Sequence, residues 1–134
     1  MSDNHRRYSS IRNALKQMYP KAKGQAAKAI NTLAAMISGI VGSKSTHYSA
    51  IASKTPDQTK LESRVKRFSR WVNNSEAEAT LQIMPFAQEL LEGLAAQTLV
   101  LVMDGSEVGR KCLVLMVSVV YRGRALPIAW LVTK

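Results

Sequence analysis

Residues 98–133, TLVLVMDGSEVGRKCLVLMVSVVYRGRALPIAWLVT, deliver a single acid, Asp104, out of an apolar run of Leu99, Val100, Leu101, Val102 and Met103. A β-prone run of this kind has no local reason to end on a carboxylate and Gly105 unless the acid is to project at a strand end beside an open loop. Asp104 is therefore the leading candidate for a catalytic group. A second kind of chemistry is written along residues 58–72, where Leu61, Val65, Phe68 and Val72 recur at steps of four, three and four. Lys60, Arg64, Arg67 and Trp71 share an adjacent helical face, and Arg70 points away from the apolar one. A row of cations on one side of a helix suits phosphates, although a merely solvated face has the same spacing.

The distribution of charge decides between those two meanings. Residues 1–72 carry fourteen Lys and Arg against three Asp and Glu, an excess of +11, and residues 73–134 carry five against six, −1. The first half is thus a basic module built for a polyanion, nucleic acid by default, joined to a nearly neutral module with a different task. Lys44, Lys60, Arg64, Arg67 and Arg70 are the expected DNA-binding residues. Trp71 is expected to pack in the core and not to stack on bases.

Composition excludes several other classes. At 134 residues and 46% hydrophobic the chain is globular, with room for one ordinary domain or two small ones. The lone Cys112 permits no internal disulfide and fits a reduced, cytoplasmic setting. His5, Arg6 and Arg7 precede no apolar segment close enough to form a signal peptide. The apolar run from Cys112 to Tyr121 is about half the roughly 20 residues of a membrane helix, so a soluble protein without a membrane partner is expected. There is no internal repeat, no phosphate-binding glycine loop and no cysteine or histidine cluster suited to zinc. His47 reads as a surface or capping residue.

The elements that must position these side chains follow from periodicity. Ile11, Leu15, Met18 and Tyr19 predict a short first helix ended by Pro20. Over residues 25–41, Ala26, Ile30, Leu33, Ile37 and Val41 form a stripe widened by Ala29, Met36 and Ile40, a buried helix stopped by Gly42 and Ser43. Residues 45–53 predict a third helix closed by Thr55 and Pro56. With the fourth, over residues 58–72, it has the order and size of a helix-turn-helix whose second helix enters the major groove. A capping box of Ser75 and Glu78 opens the next helix after a domain boundary at residues 74/75. Pro85 should kink or restart that helix, and Phe86, Leu90, Leu91 and Leu94 continue its apolar stripe; Glu76, Glu78, Glu89 and Glu92 are solvent-facing.

Three strands complete the chain, over residues 98–104, 112–121 and 125–133. The second is apolar enough for burial on both faces, and Arg122, Gly123 and Arg124 turn it into the third. Pro127 cannot donate a ladder hydrogen bond, which assigns the third strand to a sheet edge and the second to the centre of an antiparallel meander. The first keeps one free side. The fold class is α+β, a helical bundle over residues 1–74 and a connecting helix with three strands over residues 75–134.

Taken together, a basic helical module, a strand reading VMDGSEVG and the hairpin LVLMVSVVYRGRALPIAW resemble the DDE transposases of bacterial insertion sequences, with RGRALPIAW the most specific segment. The resemblance covers nearly the whole chain. It implies that the strands open an RNase H-like catalytic domain, that Asp104 is the first Asp of the Asp-Asp-Glu triad and a ligand to magnesium or manganese, and that the partner is double-stranded DNA at transposon ends. Enzymes of this type cut and rejoin phosphodiesters with two divalent ions. The second Asp and the Glu would lie on later elements, beyond Lys134, so the chain is expected to be an N-terminal portion that is inactive alone and binds no metal firmly. Glu107 is expected to be a solvated loop acid, since ligand carboxylates are usually held on rigid elements. Arg110 and Lys111 could touch donor DNA or be ordinary hairpin-loop charges. A nucleoid-associated bacterial protein is implied, with self-association through the first strand's free edge. The alternative is a non-enzymatic DNA-binding regulator in which Asp104 is only a turn residue. An RNA-binding role is weaker, because only Tyr121 and Trp130 lie in the strands as aromatics.

Overall fold

The computed structural model describes residues 2–74 and 79–134. The chain divides into two compact units, Met1–Ala77 and Glu78–Lys134. The first contains α1 (Asp3–Met18), α2 (Gln25–Ser43), α3 (Tyr48–Ser53) and α4 (Leu61–Val72). The second contains α5 (Ala79–Leu94) and the strands β1 (Leu101–Glu107), β2 (Leu113–Tyr121) and β3 (Arg124–Thr133). This is α+β, five helices followed by a three-stranded antiparallel sheet. The capping box of Ser75 and Glu78 and the charge of Glu76 lie outside the described residues.

In the helical unit Ala35, Met36, Ile51, Ala52 and Phe68 form the core, with Tyr8, Tyr48, Val65 and Trp71 packed against it. The apolar face of α4 is thus buried at its middle, as its spacing requires, while Leu61 and Val72 at its ends stay exposed. Helix α1 is longer than the short helix expected, because polar side chains as well as apolar ones tie its first half to α2. The Nε of Arg7 donates to the Ser38 carbonyl at 3.0 Å and its Nη2 to Asn4 Oδ1 at 2.6 Å.

That arginine also explains why Gly42 and Ser43 do not stop α2. A Cβ on Gly42 would collide with the Arg7 guanidinium, so this glycine serves the approach of a side chain from α1. The helix ends instead at Lys44, whose N–H makes the last helical bond to the Ile40 carbonyl at 2.8 Å and whose left-handed backbone (φ 53°) turns the chain out of the helix.

The buried face of α2 is made of small residues, Thr32, Ala34, Ala35, Ser38 and Gly39 with Met36, while Ile40 and Val41 are exposed. The bulky aliphatic stripe expected inside is displaced because α3 crosses closely: a Cβ at Gly39 would sit 2.6 Å from the Ile51 carbonyl oxygen. By length and mean hydropathy α2 is also a helix that could cross a bilayer, a point its polar Lys28, Asn31 and Thr32 obscure in the sequence. Its packing against α1, α3 and α4 is that of a core helix.

In the second unit α5 runs through Pro85 without a break. Ala87 and Leu94 are buried, α5 packs against β3, and Tyr121 lines a hollow with Phe86, Leu90 and Leu94. The strand order is β1-β2-β3, which places β3 at an edge and β2 in the centre as Pro127 demands. Pro127 stands opposite Ser118 where the register shifts, since Val117 faces Ala129 and Ser118 faces Pro127, leaving Ile128 as the extra residue of a bulge. Arg122 (φ 49°) and Gly123 (φ 75°) alone make the β2–β3 turn, both left-handed as a two-residue type I′ hairpin requires.

Burial of β2 on both faces is not found. Only Ser118 and Val119 of that strand are buried, and Leu101, Met103, Leu113, Leu115, Leu131 and Val132 are exposed, with Met103 67% and Leu131 63% open to solvent.

Candidate nucleic-acid interface

Asp104 does not terminate its strand. Residues 104–107 pair in register with 113–116 of β2, so β1 continues past the acid and the hairpin loop begins only at Val108, whose N–H meets the Cys112 carbonyl at 2.9 Å. The pairing carries β1 onward because Leu113, Val114, Leu115 and Met116 extend the central strand beside it. Pleating puts Val102, Asp104 and Ser106 on one face and Met103, Gly105 and Glu107 on the other. Asp104 faces Met116, which faces Trp130, a row of carboxylate, thioether and indole across the three strands. Its Oδ2 accepts a hydrogen bond from Ser106 Oγ at 3.1 Å.

Glu107, expected in a flexible loop, is a strand residue opposite Leu113 and lies on the face away from Asp104. Among the described residues no three His, Cys, Asp or Glu side chains converge. One carboxylate and one hydroxyl beside a thioether do not fit a pair of hard divalent ions, which take several oxygen ligands each, and no metal-dependent step follows from these residues. Arg110 (φ 49°) and Lys111 (φ 60°) sit in the hairpin loop after Gly109 (φ 83°), all three left-handed and exposed.

The cations expected on α4 are sorted by the fold into two kinds. Arg64 turns inward: its Nη1 donates to the carbonyls of Ala52 and Thr55, the latter at 3.0 Å, and so closes the C-terminal end of α3, where helical carbonyls lack partners. Arg67 reaches Asp57, Nη1 to Oδ2 2.8 Å. Burial raises the Asp57 pKa, but the Thr59 N–H at 2.9 Å and the Arg67 charge outweigh it, and the carboxyl ends below its usual value. Lys60, at the N-cap of α4, and Arg70 are exposed. Lys44 ends α2 through its backbone, with its side chain exposed. The connection between α3 and α4 spans residues 54–60, longer than the three or four residues of a helix-turn-helix, and α3 has 6 residues.

A feature not expected from the sequence joins some of these cations. Gln25, Lys28, Ala29 and Thr32 on α2 face Arg67, Arg70, Trp71 and Asn74 across a hollow of about 610 Å³. Both sets step by three, one and three, the spacing of a single helical stripe, and only the pairing of the two stripes could have revealed it. Arg67 and Arg70 are thereby brought together with Lys28; Lys44, Lys60 and Arg64 are not among the lining residues. A neighbouring hollow shares Lys28, Thr32 and Arg67 and adds Tyr8, Asn31, Thr55 and Asp57.

Comparison with models of known families, with curated proteins and with solved structures gives no match for this chain.

Proposed function

We propose that this chain binds duplex DNA through its helical unit and forms the DNA-binding and first-carboxylate portion of a DDE-type transposase. The observation that carries the reading is the charge division: an excess of +11 within residues 1–72, with Lys28, Lys44, Lys60, Lys66 and Arg70 exposed, against −1 in the remainder. A polyanion releases its counterions when it meets such a surface, and that release drives binding without any need for base contacts. The RNase H-like assignment of the sheet rests on the resemblance of VMDGSEVG and RGRALPIAW; its support is a central strand flanked by two hairpin partners and apolar on both faces.

The test is binding of the full chain to a duplex of arbitrary sequence at several salt concentrations, with and without a chelator. Affinity falling steeply with salt and unchanged by the chelator is expected. Salt-independent or absent binding removes the proposal. The second reading, a non-enzymatic DNA-binding protein, is favoured by one observation, the isolation of Asp104 among Ser106, Met116 and Trp130. In a protein carrying this chain that cleaves DNA with magnesium or manganese, loss of cleavage in Asp104→Asn with DNA binding intact decides against it.

A further inference from the structure

We infer that the hollow between α2 and α4 is a phosphate-binding groove that seats the backbone of a nucleic acid, with Lys28, Arg67, Arg70 and Trp71 as its contacts. The inference rests on the DNA-binding reading and narrows it from a charged unit to one groove. Three cations line the hollow and no carboxylate does. Arg67 spends one nitrogen on Asp57 outside it, so the ion pair orients the guanidinium without neutralising the remaining pair, Lys28 and Arg70. Like charges gathered at one concavity repel, and an anion placed among them relieves that repulsion while gaining charge-assisted hydrogen bonds.

Two buried donors point the same way. Trp71 Nε1 and Arg67 Nε are both shielded from solvent and have no hydrogen-bond partner, although each belongs to a residue lining the hollow. Buried indole and guanidinium N–H groups are costly to leave without an acceptor, and such groups usually have partners. A phosphate oxygen is an acceptor of the right charge. The groove is open to solvent, which suits a chain of phosphodiesters better than one enclosed ion.

This placement differs from a recognition helix entering the major groove. The N-terminal half of α4 exposes Glu62 and Ser63 beside Lys60, whereas the groove uses the C-terminal half. The contact is therefore to backbone and carries no direct base readout.

The indole N–H signals of the two tryptophans, Trp71 and Trp130, test the groove in the full chain by nuclear magnetic resonance, assigned with Trp71→Phe. Titration with a short duplex and, separately, with inorganic phosphate should move the Trp71 signal and leave Trp130 in place. Lys28→Gln combined with Arg70→Gln, both at exposed positions, should abolish that movement and weaken duplex binding about tenfold or more, with the salt slope flattened by about 0.9 for each phosphate that the variant no longer neutralises. Unchanged far-ultraviolet dichroism and an unchanged thermal melt certify the helical unit of that variant, while Trp130, in the second unit, serves as the reference signal. If the chain binds duplex while Trp71 stays still and the double variant keeps its affinity and slope, the groove is overturned and the proposed function survives. If phosphate moves Trp71 but no duplex binds, the nucleic-acid assignment falls together with the proposed function.

Discussion

Arg67 closes the connection between α3 and α4 onto Asp57, Nη1 lying 2.8 Å from Oδ2, while Oδ1 of the Asp57 carboxylate accepts the Thr59 N–H at 2.9 Å. The pair spans the very segment that would be the turn of a helix-turn-helix, and it makes that segment pH-sensitive. Asp57 has its folded pKa below the ordinary 3.8, so its contribution to stability is present above 3.8 and is lost as pH falls through the folded value. Urea unfolding of the chain should give Asp57→Asn a deficit of about 0.2–1 kcal/mol at neutral pH, the usual range for a partly exposed pair. The deficit should vanish once pH has fallen below the folded value. A deficit that persists there assigns the effect to hydrogen bonding alone.

Arg64→Ala should destabilise the helical unit by about 1–3 kcal/mol, because the Ala52 and Thr55 carbonyls lose their charged donor. Arg64→Lys should recover only part, since one ammonium replaces a planar fork. Thermal melts of the three proteins check the order. Equal stability of wild type and Arg64→Ala shows the arginine to be free for other partners.

Gly39→Ala places a methyl against the Ile51 carbonyl oxygen and Cγ2. Backbone cannot swing aside as a flexible side chain does, so a loss of about 1–3 kcal/mol is expected. Gly93→Ala, where nothing lies within 4 Å, should be neutral or slightly stabilising in its helix. Denaturant midpoints for the two variants should separate accordingly, and a reversed order contradicts the α2–α3 packing.

The exposed edge of β1 should make the chain associate. Leu101, Val102 and Met103 are all exposed on a strand that pairs on one side with β2. Sedimentation should show association rising with concentration, and Leu101→Lys with Met103→Lys should return the chain to monomer. A wild-type monomer at high concentration, with β1 amides strongly protected from exchange, would mean that the edge is already covered.

Covalent constraints are the most legible features of the sequence. Pro127 announces an edge strand because a missing N–H leaves no choice, and Phe68 with Val65 announces the buried side of α4 because large apolar groups have few other places to go. Side chains with two uses are not legible. The number of cations on α4 cannot tell Arg64, which caps α3, from Arg70, which faces solvent. The inner face of α2 differs from its periodicity for a related reason: small Ala35, Ser38 and Gly39 are buried because α3 comes close, and that closeness is a tertiary fact. Asp104 is legible as unusual. Its position inside β1 depends on how far β2 runs beside it, which one strand's residues do not state.

The two-sided apolar character of β1 and β2 also bears on how the sheet finds its frame. When one face is polar, sliding a strand by one residue exposes the wrong side chains and is penalised at once. Here Leu101, Met103, Val117 and Leu115 on one face resemble Val102, Met116 and Val114 on the other. Among these apolar side chains only Asp104, Ser106 and Ser118 mark the second face, so the strands resist a slip weakly. The frame must be held from the ends, by the left-handed run Gly109, Arg110, Lys111 and by the tight turn at Arg122 and Gly123. Which side of the sheet displays Asp104 is therefore decided several residues away, by the turns that set the register.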